Sequence, residues 1–223
     1  MIALVVFRVT AYLRSHRAFQ ALLPVLAVLA IVHGNSAPVG SEATALADSA
    51  VLVLPFLAWA ARSVLDTEPD QQRVISATGA GGGAREVVAG LLAALTACVA
   101  FAALAFGWGL TLGLSALPSP AVTGAAATLH VLAALAGVVL GALTSRVIVP
   151  SPALSIMGLL AGYLAMLLVS ASPLYWLTVP VTAWIKAATA GDLPARLPAL
   201  ATVSLVWCVA GLAAYAALRR TRP

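Results

Sequence analysis

Long apolar runs, separated by short polar or proline-rich breaks, follow one another along most of this chain. A helix needs about 20 apolar residues to cross the roughly 30 Å hydrocarbon layer of a membrane. Six runs reach or approach that length, and the third is long enough to require tilting or projection beyond the lipid. The pattern predicts an all-α integral membrane protein with six transmembrane helices, at residues 19–33, 46–64, 87–114, 122–144, 153–170 and 199–218. Residues 19–223 would then form one membrane domain.

Residues 1–18 show a shorter amphipathic pattern ahead of the first run. Apolar residues such as Val5 and Val9 fall on one side of a helix, and Arg8, Arg14 and Arg17 fall elsewhere. A basic amphipathic helix of this kind suits the membrane interface. We therefore expect an interfacial helix at residues 1–18, with Arg14 and Arg17 at the lipid headgroups. A simple extension of the first span is the alternative.

The segment 170–198, between the fifth and sixth runs, is apolar but divided by four prolines into pieces too short to span a membrane. It contains Tyr175, Trp176 and Trp184, and aromatic residues of this type concentrate at the boundary between lipid and water. The pattern predicts two short re-entrant or interfacial helices, with Trp176 and Trp184 as interfacial anchors. An ordered external loop that caps the bundle is the alternative.

Composition and charge support a membrane location and give an orientation. The chain is 62% hydrophobic and 9% charged, with a mean hydropathy of +1.06, whereas soluble proteins are about half apolar and a quarter charged. Six spans would put ten arginines on one face and only Lys186 and Arg196 on the other. Basic residues stay on the cytoplasmic side, so both termini should be cytoplasmic.

The basic residues also bear on the source of the chain and on its partners. A single lysine beside eleven arginines, with abundant alanine, is typical of a GC-rich bacterial genome, so we expect a bacterial plasma membrane. The arginines are scattered at helix ends and form no contiguous basic surface with aromatic residues, which argues against a nucleic-acid partner.

Residues that could carry chemistry are scarce inside the runs. Ionisable groups within a membrane are costly and persist mainly for function, yet Asp48, Arg62 and His130 are nearly the only candidates. The glycine-rich stretch 79–83 lacks the lysine and hydroxyl of a phosphate-binding loop. We therefore expect no catalytic activity, no cofactor and no metal on this chain. Cys98 and Cys208 are expected to be buried apolar residues.

The main polar feature is the segment 66–86, which holds six charged side chains between two apolar runs. Pro69 and the acids around it favour the start of a short helix, from about residue 69 to 78. Its polar residues would face outwards, and its apolar residues would insert into a groove on a partner. The residues expected to make this contact are Glu68, Asp70, Gln71, Arg73, Val74, Ile75, Arg85 and Glu86. A solvated loop without a partner is the alternative.

Taken together, these features resemble the membrane subunit of type-2 ABC exporters. The resemblance rests on the basic N-terminal stretch, six spans with both ends inside, the polar segment between spans two and three, and the broken segment between spans five and six. The sequence from Asp66 through Glu68, Pro69 and Arg73, followed by glycines and then Arg85-Glu86, looks like the coupling-helix region of that family.

The resemblance implies a permease subunit whose coupling helix docks on separate ABC ATPase subunits, which would hold ATP and magnesium. A second copy or a homologous membrane subunit would complete a pathway for a small-molecule or peptide cargo. Few charges lie in the spans, which suggests an apolar or amphipathic cargo. The main rival is a non-transporting integral membrane scaffold or an accessory or immunity subunit.

Overall fold

A computed structural model describes residues 1–221, except for the side chains of Asp70, Gln71 and Val74. In this part of the chain almost every residue outside the short connections is helical. The helices are α1 (Ile2–Arg14), α2 (His16–Val32), α3 (Glu42–Leu65), α4 (Asp70–Ala80), α5 (Gly83–Leu112), α6 (Pro120–Leu143), α7 (Pro152–Ala171), α8 (Val181–Thr189) and α9 (Leu193–Thr221), with a 3-10 turn at Tyr175–Leu177.

Five of the described helices are long and apolar enough to cross a membrane on their own: α3, α5, α6, α7 and α9. Helices α1 and α2 together are long and apolar enough for a sixth candidate, but their axes meet at 71°, so they count only as one bent span. The all-helical, membrane-protein architecture is thus confirmed at the level of five or six candidate spans.

The bend between α1 and α2 has a local cause at Ser15. Its backbone is extended, with φ −89° and ψ 151°, and its hydroxyl donates a hydrogen bond to the Tyr12 carbonyl oxygen at 2.7 Å. A serine side chain that bonds to the preceding turn competes with continued helix. The first helix therefore ends at Arg14, so the predicted boundary at residue 18 lies inside α2.

Helix α3 lies at the centre of the bundle and packs most extensively on α6 and α5. Gly137 and Gly141 on α6 allow this close approach: a Cβ on Gly141 would lie 2.5 Å from the Ala58 carbonyl oxygen and 2.8 Å from the Ala61 Cβ. Small residues at this spacing bring helix backbones together in membranes. The central helices are accordingly the most buried, whereas α7 and α9 are peripheral, with 22% and 17% of their most apolar windows buried.

The segment between α7 and α9 differs from the prediction at two points. It contains one α-helix, α8, and a 3-10 turn, and α9 begins at Leu193 instead of residue 199. Pro194 fits the first turn of α9 because its missing N–H would have no intrahelical partner there. Pro198 lies inside α9, where its missing N–H removes one backbone hydrogen bond of the helix.

Trp184 does not have the position that its predicted interfacial role requires. It lies on α8 beside Val181 and Ala188, on the side of the helix buried against the bundle, and is fully buried. Residues separated by three or four positions share one face of a helix, so this ring packs inside the protein. Trp176, in the 3-10 turn, is 58% exposed, and its interfacial role stays a prediction.

The connections between helices gather at two ends of the bundle. At one end, Arg17 of α2 donates to the Asp66 carbonyl oxygen at 2.7 Å, and the backbone N–H of Arg146 donates to Asp66 Oδ1 at 3.0 Å. We call this the charged end. At the opposite end, Ala37 and Leu114 form an isolated bridge that joins the α2–α3 and α5–α6 connections.

Candidate functional site at the charged end

Three helices and one connection bring their charged side chains together at the charged end. Arg8 comes from α1, Glu68 from the α3–α4 connection, Glu86 from the first turn of α5, and Arg219 from the last turn of α9. We call these four residues the ionic cluster. The bonded pairs among them are 60 to 133 positions apart in the sequence, so only the folded bundle assembles them.

Arg8 is the centre of the ionic cluster. Its Nη2 lies 2.5 Å from Glu68 Oε2 and 2.5 Å from Glu86 Oε1, and its Nη1 donates to the Glu86 carbonyl oxygen at 3.2 Å. Glu86 Oε2 accepts a further bond from Arg219 Nη2 at 2.5 Å. The side chains of Arg8, Glu68 and Glu86 are at most 5% exposed, so water screens these ion pairs weakly.

The packing around Arg8 leaves room for its guanidinium and little else. A Cβ added to Gly90 on α5 would lie 2.5 Å from Arg8 Nη1, so any larger residue there would have to displace the Arg8 guanidinium. Two guanidiniums and two carboxylates also balance in charge. Buried ions are tolerated when they are paired and hydrogen-bonded, and the ionic cluster meets both conditions.

A second group of charges surrounds Asp66, directly after α3. Arg62 and Arg73 lie 3.7 Å and 3.9 Å from its carboxylate, which also accepts the backbone N–H of Arg146. Burial raises the pKa of Asp66, while the Arg146 N–H and the neighbouring guanidiniums act in the opposite direction. Through Arg17, which bonds to the Asp66 carbonyl oxygen, this group ties α2 and the α6–α7 turn to the end of α3.

Helix α4 is attached directly to these two groups. Arg73 donates from Nη2 to the Leu65 carbonyl oxygen at 2.8 Å, and the Ser76 hydroxyl donates to Glu68 Oε1 at 3.1 Å. The helix follows Pro69 and ends at Gly81, whose φ of +81° suits a residue without a Cβ. The predicted short helix is therefore present at Asp70–Ala80, and its base is held by charged and polar contacts.

The structure divides the residues that we expected to contact a partner. Arg73 folds back onto the end of α3, so the expectation that Arg73 faces outwards is corrected. Glu68 and Glu86 are buried in the ionic cluster and are not exposed for the expected contact. The physical reason is that Arg8 and Arg219 neutralise these carboxylates inside the protein. Ile75, 73% exposed, and Arg85 remain at the surface.

Three of the expected contact residues, Asp70, Gln71 and Val74, have side chains outside the described part of the structure. Of the two arginines expected at the lipid headgroups, Arg14 is exposed. Arg17 is half-buried and binds the backbone after α3. Their interfacial role stays a prediction.

Sequence reasoning missed Arg8 and Arg219 as members of a site. Arg8 was read as part of the polar side of α1, yet it is buried together with Tyr12, four residues later. Positions i and i+4 share one helix face. The available signal was therefore that Arg8 lies on the same face of α1 as Tyr12, where a buried arginine needs a carboxylate partner. Nothing local marks Arg219, since its partner is 133 positions away.

The ionic cluster is suited to holding helices together and offers little for catalysis. Its carboxylates are already bonded to guanidiniums, so neither is placed to accept a proton from a substrate. Among the described residues, no group of three or more His, Cys, Asp and Glu could hold a metal ion. The absence of a cofactor on this chain stays a prediction.

No protein-family model, no curated protein and no solved structure matches this chain. A functional assignment therefore rests on the chemistry and geometry of its own residues.

Proposed function

We propose that this chain is the transmembrane permease subunit of an ATP-driven ABC exporter, and that α4 is its coupling helix. The observation that carries the proposal is a short helix between two candidate spans, at whose base Glu68 joins the chain of ion pairs that links α1, α5 and α9. ATP and magnesium would bind to separate ABC ATPase subunits, and this chain would not hydrolyse ATP.

The proposed topology has six spans in a bacterial plasma membrane with both termini cytoplasmic, and the charged end faces the cytoplasm. Helix α2 would be the first span and α1 would lie in the cytoplasmic interface. Two observations support this arrangement: the 71° bend at Ser15, and exposed apolar side chains on α1, including Ile2, Val6 and Phe7. The 3-10 turn with Trp176, and α8 behind it, would lie at the external interface.

The proposed mechanism uses the ionic cluster to pass motion from α4 to the spans. When the partner ATPases close on ATP, they would push α4. Glu68 follows α4 through Ser76, and Arg8 links Glu68 to Glu86 at the start of α5. Such a link transmits binding energy only if the two states differ in their contacts, so the proposal requires α4 to contact the ATPases differently in the two states.

A second copy or a homologous membrane subunit would complete the pathway for a small-molecule or peptide cargo. The peripheral helices α7 and α9 present large exposed apolar side chains, such as Leu168 and Val206, that a second subunit or lipid could cover. The shortage of charge within the candidate spans supports an apolar or amphipathic cargo.

The proposal is tested by co-expression with a candidate ATPase subunit, followed by co-purification, ATP hydrolysis and cargo export. Changing Val74 and Ile75 to Asp should release the ATPase or uncouple hydrolysis from export, because buried apolar anchors carry most of the energy of an interface. Leu117→Asp is the matched control, since Leu117 is 82% exposed at the opposite end.

The outcomes separate the possible functions. Normal export with the ATPase bound to the double aspartate variant would refute the coupling role of α4. Specific ATP hydrolysis by the purified chain alone would contradict the permease assignment. Stable binding of a partner without any ATP-dependent movement of cargo would favour the non-transporting scaffold.

A further inference from the structure

A cleft of about 520 Å³ lies between α7, α8 and α9, at the end of the bundle opposite to the charged end. Helix α8 packs on both α7 and α9 and closes the cleft from one side. Hydrogen bonds from Thr182 of α8 to Ser170 of α7, including its backbone N–H to Ser170 Oγ at 2.9 Å, hold that side together. The cleft is therefore a built feature of the fold.

Two cations line this cleft, Lys186 from α8 and Arg196 from α9. They are the only lysine or arginine residues at this end of the described chain. Lys186 makes no ion pair with any described residue. Arg196 is held through Nε by Asp192 Oδ2 at 2.5 Å, and no described residue bonds to its two Nη atoms. The guanidinium is thus oriented by Asp192 while its outer edge stays available.

The charges around the cleft favour an anion with a single negative charge. Lys186 and Arg196 contribute two positive charges and Asp192 offsets one. A phosphodiester carries one negative charge, and an arginine edge binds two of its oxygens in parallel. The Tyr175 ring, which also lines the cleft, adds a hydroxyl donor.

Part of the remaining wall of the cleft is apolar, beside the polar Ser170, Ser172 and Thr182, and it continues along the exposed surface of α7 and α9. Ala199 and Val203 of α9 line the cleft, and Val206, one turn further along α9, is 65% exposed. On the other side, Leu168 of α7 is 73% exposed. An apolar strip of this kind accommodates acyl chains, whereas a free water-soluble anion would gain nothing from it.

We infer that this cleft binds an anionic membrane lipid, with its phosphodiester between Lys186 and Arg196 and its acyl chains along α7 and α9. The inference does not depend on the exporter proposal, because the cleft lies at the other end of the bundle from α4.

The test uses purified protein in a neutral detergent and phosphatidylglycerol with a photoactivatable acyl chain. Cross-links are mapped by mass spectrometry, and those on α7 and α9 report the cleft. Unlabelled phosphatidylglycerol should compete at a concentration at least about tenfold lower than phosphatidylcholine. The double variant Lys186→Gln/Arg196→Gln should weaken binding about 30-fold, from the effect of two cations near a lipid surface.

A matched control removes two exposed arginines from the charged end instead. Arg14→Gln/Arg220→Gln has the same net charge as the double variant and should keep cross-linking on α7 and α9 within about twofold of the wild type. Ala199→Phe fills the cleft and leaves both cations in place. It should also abolish these cross-links, and it supplies the test if the double charge variant does not fold.

Three results would overturn the inference. Cross-linking on α7 and α9 could survive both Lys186→Gln/Arg196→Gln and Ala199→Phe. Phosphatidylcholine could compete as well as phosphatidylglycerol. Glycerophosphoglycerol, which has the same headgroup and no acyl chains, could compete as well as the lipid, and the site would then belong to a free anion.

Discussion

Replacing Glu86 with glutamine tests the ionic cluster directly, because the side chain keeps its shape and loses its charge. In the native cluster Glu86 binds Arg8 through Oε1 and Arg219 through Oε2, both at 2.5 Å. After Glu86→Gln, two guanidiniums face the single carboxylate of Glu68. Arg219 also loses the only carboxylate that the structure gives it, so one buried positive charge is left without a counter-charge.

The size of the effect follows from burial. Removing one partner of a buried ion pair typically costs about 3–5 kcal/mol. Arg8 and Glu86 have 5% exposed side chains, whereas Arg219 is 17% exposed and is partly screened by solvent. We therefore expect the lower part of that range, about 3 kcal/mol. For a chain of this length such a loss corresponds to a fall of roughly 6–12 °C in the unfolding midpoint.

The measurement is thermal unfolding in detergent, with Arg196→Gln as the matched control. The Arg196–Asp192 pair has the same 2.5 Å separation, but the Arg196 side chain is 64% exposed. An exposed pair contributes less than about 1 kcal/mol, so this control should unfold close to the wild type. If Glu86→Gln lowers the midpoint no more than Arg196→Gln does, burial does not strengthen the cluster and the reasoning fails.

Three further predictions test the packing, the short helix and the orientation. Gly141→Ala places a Cβ 2.5 Å from the Ala58 carbonyl oxygen and should destabilise the bundle by about 1–3 kcal/mol. In the control Gly124→Ala, on the same helix, the added Cβ meets nothing within 4 Å, so this variant should unfold like the wild type. Equal thermal unfolding midpoints for the two variants would be inconsistent with tight α3–α6 packing. Gly81→Ala puts a residue with a Cβ at a backbone φ of +81° and should speed amide hydrogen exchange in α4 by roughly tenfold. The control Gly79→Ala lies inside the helix and should slow that exchange. Unchanged exchange in Gly81→Ala would show that Gly81 does not end the helix. Single cysteines introduced at a cytoplasmic set of positions should react with membrane-impermeant reagents only from the cytoplasm, and those at an external set only from outside. External labelling of the cytoplasmic set would contradict the proposed orientation. The cytoplasmic set is Ser15, Gln71 and Thr221, and the external set is Ser41 and Ser119.

The sequence alone predicted most of the long helices because their signals are local. Apolar runs with clear breakers predicted α3, α6 and α7 to within a few residues, and Pro69 with the acids around it marked the start of a short helix close to α4. The predicted start of α9 was late because Pro194 was read as a break, although proline is well tolerated in the first turn of a helix.

The candidate site was much less accessible from the sequence. Glu68 and Glu86 were recognised as unusual, but their inward orientation depends on Arg8 and Arg219, which approach from α1 and α9. Pairings over such separations are set by the packing of the whole bundle and leave no periodic pattern. The same holds for Trp184, which looks like an interfacial aromatic until the packing of α8 buries it.

The ionic cluster also has a consequence for the order in which the protein is made. Arg8 and Glu86 are both synthesised long before Arg219, which follows Glu86 by 133 residues. At roughly 5–20 residues per second, translation takes about 7–27 s to cover that distance. During this interval a single guanidinium faces two carboxylates, and the incomplete ionic cluster carries one excess negative charge. The final turn of α9 completes the neutralisation that α1 begins, so the ionic cluster is balanced in charge only after α9 has been synthesised.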